Sequence, residues 1–155
     1  MMNKVGSILK KIGEFLFGKI ILVQDSFFGE MADVGSYYEC RKSFKPTGKI
    51  VEIGLEKKDL KPDEKQINFF KWIEDNYDFI IQKIGPSIEA KVAEWIPNYQ
   101  IQNFKKEFIL EYLYIPKCDK EIFDWQISFY ADNELQHWCS LDMKGMEVKD
   151  ILIDG

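Results

Sequence analysis

At 155 residues with a net charge of −5, the chain is long enough to bury a real core and too short for two domains. Hydrophobic residues make up 46% and charged residues 30%, a balance that excludes a disordered chain. Among 21 basic residues only Arg41 is an arginine, and an acidic, nearly arginine-free chain is poorly suited to bind nucleic acid.

Val5, Ile8, Leu9, Ile12, Phe15 and Leu16 recur at helical spacing, with Lys10, Lys11 and Glu14 opposite. This predicts an amphipathic helix over residues 1–18, ending near Gly18. The basic face of residues 4–17 suits either a membrane surface or docking on the chain's own domain. A first strand is expected over 19–24, and a loop or irregular edge over 25–35. Two strand-like runs follow, 36–44 and 49–56, joined by the turn Lys45-Pro46-Thr47-Gly48, in which proline presets φ and glycine supplies a positive φ.

Pro62-Asp63-Glu64 reads as a helix start, with Ile67, Phe70, Ile73, Tyr77, Ile80 and Ile84 along its apolar stripe. Gly85-Pro86 is expected to break that helix, and Ile88, Val92 and Trp95 mark a second one stopped by Pro97. Phe69 and Trp72 point aside from the stripe, either packed between layers or forming a binding patch. Residues 104–115 read as a central strand, apolar on both faces apart from Glu107 and Glu111. Runs 123–130, 136–143 and 148–153 alternate and turn as a meander. The expected fold is therefore α+β: an N-terminal amphipathic helix, then one mainly antiparallel sheet of about six to seven strands. Two helices are inserted after the third strand and packed on one face. The chain reads as a single domain, with helix 1–18 followed by an α+β body over 19–155.

No constellation announces chemistry. His137 is the one histidine, and no Cys pair has ligand spacing, so neither metal nor cofactor is expected. Cys139 and His137 share one side of a strand at i, i+2. The pair admits a small-hydrolase reading, but no oxyanion hole or nucleophile elbow surrounds it. Glu107 and Glu111 on one strand would stand roughly 13 Å apart, too far for glycosidic chemistry. The odd cysteine count (Cys40, Cys118 and Cys139) fits a reducing cytoplasm, with each thiol a small buried hydrophobe. No secretory signal or spanning segment is evident.

Charge is uneven. Residues 1–23 carry a net of +3 and the remainder −8. Asp25, Glu30 and Asp33, with Asp132 and Glu134 in a later hairpin, are the candidate partner-binding residues; they are solvated surface or an acidic face that steers a basic protein. No catalytic residue is expected.

Three segments occur in order. Phe44-Lys45-Pro46-Thr47-Gly48-Lys49 lies between two strands. Pro62-Asp63-Glu64-Lys65-Gln66 precedes Phe69-Phe70 and Glu74-Asp75-Asn76-Tyr77. Trp125-Gln126-Ile127-Ser128-Phe129 leads to a terminal Ile153-Asp154-Gly155. This ordering resembles small bacterial proteins found near polymorphic-toxin and contact-inhibition loci, some of which are thought to be immunity proteins. The resemblance implies a cytoplasmic, non-catalytic module that binds and neutralises a toxin domain with a basic face. The alternatives are a peripheral membrane or scaffold protein anchored through residues 4–17, and the small hydrolase.

Overall fold

In the computed structural model of this chain, residues 18 and 20–155 are described. The helix expected over residues 1–18 lies outside them, Gly18 excepted. The described chain builds one eight-stranded sheet: β1 (Ile21–Asp25), β2 (Gly29–Asp33), β3 (Tyr37–Phe44), β4 (Lys49–Glu56), β5 (Phe108–Ile115), β6 (Asp124–Ala131), β7 (Trp138–Lys144) and β8 (Glu147–Asp154). Spatial order equals sequence order. Every neighbouring pair is antiparallel except β4 and β5, which run parallel. Two four-stranded meanders therefore meet at one parallel seam. The crossover between them carries α1 (Glu64–Asp75), α2 (Tyr77–Val92) and the single turn α3 (Phe104–Glu107).

This corrects the expected architecture on three counts. The sheet has eight strands and is mixed, and the helices follow the fourth strand, not the third. The extra strand is β2, read from sequence as loop. The Asp25 carboxylate accepts the Phe27 and Phe28 N–H groups at 2.8 Å each and turns the chain. Met31, fully buried against Cys40, then fixes the register. One apolar residue among Gly, Glu, Ala and Asp gives almost no alternation to read.

The helices break elsewhere than expected too. The Pro62–Glu64 start stands: Asp63 caps α1, and Gln66 closes a capping box with it. The chain does not break at Gly85-Pro86, which lie inside α2. Pro86 and Gln82 face solvent, where water can take the carbonyl that proline leaves unpaired. Ile80, Ile84 and Ile88 meanwhile stay buried along one stripe. The break falls at Asn76, whose side-chain amide donates to the Trp72 carbonyl at 2.9 Å, sharing the acceptor of its own backbone N–H at 3.0 Å, and so competes with helix propagation. Residues 104–107, read as strand, form α3, capped by Asn103.

The core lies between one face of the sheet and α1 and α2. Val51, Ile53 and Leu55, then Leu113 and Ile115, then Ile127 and Phe129 alternate inward to meet Phe70, Ile73, Ile80 and Ile84. Phe69 packs edge-on against Phe123 and Trp125, which settles it as a packing residue, while Trp72 stacks on Phe69 from outside. Tyr77 is 1% exposed, and its hydroxyl finds no hydrogen-bond partner. Burial raises its pKa well above the ordinary tyrosine range. Tyr77→Phe keeps the ring edge-on to Phe44 and removes an orphaned polar atom. It should stabilise the fold by about 1 kcal/mol, seen as a higher urea midpoint at unchanged slope.

Candidate functional site

The second face of the sheet carries no described helix. Register places two rows side by side across six strands. One reads Glu39, Gly54, Tyr114, Gln126, Asp142 and Asp150; the other reads Arg41, Glu52, Tyr112, Ser128, Ser140 and Leu152. Six strands span about 24 Å, and eight-residue strands run about 27 Å. That footprint approaches the roughly 800 Å² each partner buries in a standard protein interface.

Its chemistry is aromatic and acidic. Gly54 is buried although no described helix lies over its face, because tyrosine rings lie on it. A Cβ placed there would overlap the Tyr112 hydroxyl and stand 3.1 Å from Tyr112 Cζ and 3.2 Å from Tyr114 Cδ2. The missing side chain thus lets two tyrosines settle on the sheet. Gly54→Ala should lift Tyr112 away and cost about 1–3 kcal/mol in urea unfolding, through overpacking alone. Partial burial, more than the nearby Tyr37 and Glu39, pushes the Tyr112 hydroxyl up to about 12. Burial followed by Glu56 raises Tyr114, and burial followed by Glu39 raises Tyr37. Burial, then Glu52, raises the Glu111 carboxyl. Toward β8 the face is tied down by Ser128 Oγ donating to Ser140 Oγ at 2.9 Å and Gln126 Nε2 donating to Asp142 Oδ1 at 2.8 Å. A shallow depression of about 320 Å³ opens between Tyr114, Asp124, Gln126, Asp142 and Lys149. Tyr130 and the half-exposed Trp138 extend the aromatic surface, edge to face. Neutral phenols, carboxylates and flat rings suit recognition of another molecule's surface.

The five acids singled out from sequence do not assemble. Asp25 and Glu30 belong to the β1–β2 hairpin, and Asp132 and Glu134 to the β6–β7 turn. These lie toward one end of the sheet but four strands apart, about 19 Å. Asp33 is at the other end. Asp25 is spent on its turn. Asp33 binds Lys57 Nζ at 2.7 Å and caps the Gly35 N–H at 3.0 Å. Glu30, Asp132 and Glu134 stay exposed.

The Lys57 hydrogen bond, then the Gly35 N–H, hold the Asp33 carboxyl below its ordinary value. A depressed folded-state pKa stabilises above the unfolded value of about 3.9 and ceases to as pH falls through the folded one. The stability gap between wild type and Asp33→Asn should therefore be widest near neutrality and close on acidification. Urea melts at pH 7 and near pH 3 read it directly.

The hydrolase dyad is not assembled. Cys139 is 1% exposed and faces the core, where burial pushes its thiol up to about 12. His137 stands before β7 begins, its ring held to the Leu135 carbonyl. Cys40 and Cys118 are likewise raised to about 12 by burial. Glu107 lies on α3 and Glu111 at the β5 bulge, so the two do not share a strand face. Among the described residues no group of three His, Cys, Asp or Glu is placed to hold a metal ion, and no helix is long and apolar enough to cross a membrane.

Sequence reasoning missed the tyrosines. The signal was present in Tyr112 and Tyr114 alternating with Leu113 and Ile115, but a strand read as apolar on both faces hides an amphipathic one. No protein family, curated protein or solved structure matches the chain.

Proposed function

We propose that this chain is a non-catalytic protein-binding module of the cytoplasm, most concretely a bacterial immunity protein that binds a toxin domain and neutralises it. One observation carries the reading: a broad sheet face, over which no described helix lies, whose centre is tyrosine and whose margins are carboxylate. Occlusion needs a complementary surface and no reacting group. Tyrosine and tryptophan are the residues that anchor such surfaces. Glu30, Asp132 and Glu134, exposed at one end of the sheet, add negative potential that speeds the approach of a basic partner.

The test compares two baits in lysate of the native organism, the full chain and its Tyr114→Ala/Asp142→Lys variant. The expected result is one stoichiometric protein held by the first and lost by the second, whose toxicity on expression is relieved by co-expressing the wild-type chain. A partner held equally by both baits, or toxicity unrelieved by the wild-type chain, would overturn the reading.

A further inference from the structure

We infer that this second face takes a basic polypeptide surface, anchored by an arginine or lysine side chain laid over Tyr112 and Tyr114 beside Glu39. The inference rests on the protein-binding reading above and names the chemistry of its partner.

Three observations lead there. First, the register puts Glu39 opposite Gly54 and Gly54 beside Tyr114, so the tyrosine pair seated on the glycine has carboxylates around it. Phenols held protonated present neutral rings whose negative faces attract a cation. Second, the chain's only arginine already lies on this face. Arg41 Nη2 donates to Glu52 Oε1 at 2.7 Å and its Nε to the same oxygen at 3.2 Å. The face therefore already holds a guanidinium, on Glu52, which the register places beside Tyr112. Third, negative charge is in excess. The two rows carry Glu39, Glu52, Asp142 and Asp150 against Arg41 alone. Asp142 and Asp150 stand directly opposite one another across β7 and β8, an arrangement that destabilises a sheet. Lys149 pairs with Glu147 at 3.0 Å and Lys117 with Glu56 at 3.7 Å, while among the described residues no lysine or arginine forms an ion pair with Glu39, Asp142 or Asp150. A cation from outside relieves the opposed pair; an anion or a nucleic acid would worsen it.

The experiment titrates nona-arginine, with nona-glutamate as control, into the full chain and reads tryptophan fluorescence or heat. Nona-arginine should bind and nona-glutamate should not. Glu39→Gln/Asp142→Asn should weaken nona-arginine about tenfold, whereas Glu64→Gln/Asp75→Asn, an equal change of charge on α1 in the helical layer, should leave it nearly unchanged. Tyr114→Phe should bind as wild type and Tyr114→Leu several-fold more weakly, a difference that marks the ring face and not the hydroxyl. Equal weakening by both charge pairs would reduce the effect to net charge and overturn the proposal, as would failure of nona-arginine to bind at all. In either case a protein captured by the wild-type bait and lost with Tyr114→Ala/Asp142→Lys leaves the binding-module reading standing. A captured protein indifferent to that variant removes the reading itself.

Discussion

Phe70→Ala should lower the stability of the folded chain by about 4 kcal/mol. Phe70 is fully buried on α1, with its ring edge-on to Phe27 and Phe28 at 5.9 Å and to Phe44 at 6.1 Å. Those three rings come from the β1–β2 turn and the end of β3, so one side chain ties the first meander to the helical layer. Truncation loses the transfer term and leaves a cavity that three rigid rings cannot collapse into. For a domain with about ten kcal/mol in total, the midpoint of thermal unfolding should drop by about 10 °C. Phe70→Leu, which refills most of the space, should cost less than half as much. Equal losses in the two variants would mean that contact between rings, and not volume, sets the stability here.

Gln66→Met should cost about 3 kcal/mol although it conserves size and adds apolar surface. Gln66 is fully buried. Its Nε2 donates to the Glu56 carbonyl at 2.9 Å and the Pro116 carbonyl at 3.1 Å. Its Oε1 accepts the Asp63 N–H at 3.3 Å, and its own N–H donates to Asp63 Oδ1 at 3.1 Å. One amide thus satisfies the ends of β4 and β5 together with the first turn of α1. Methionine fills the volume and abandons two buried carbonyls, each carrying its own desolvation penalty. A urea midpoint indistinguishable from wild type would show that water reaches those carbonyls.

What could be read in advance followed from how locally each feature is encoded. The Lys45–Gly48 turn, the capped start of α1 and the alternation of β6 depend on neighbours within a few residues, and these appear in the chain as expected. Strand β2 could not be read, because its place is fixed by Met31 meeting Cys40 across the sheet and not by any pattern of its own. Pro86 misled for a related reason. The cost of a proline in a helix depends on whether the freed carbonyl sees solvent, which is a tertiary fact. The candidate site was the least legible part. Acidic residues draw the eye as charge, yet Asp25 and Asp33 are occupied within their own loops. The tyrosines that floor the open face gain their seat on Gly54 and their neighbour Glu52 only when β4 and β5 pair, across residues sixty positions apart such as Glu52 and Tyr112.

That seam also orders the way the chain reaches its native state. Each meander can zip from its own turns, closing short loops at small entropic cost. The parallel pairing closes a far longer loop and is rewarded only once α1 and α2 have something to lie on. The tyrosine face takes Gly54, Glu39 and Glu52 from one half and Tyr112 and Tyr114 from the other, so it is complete only in a chain whose seam has closed.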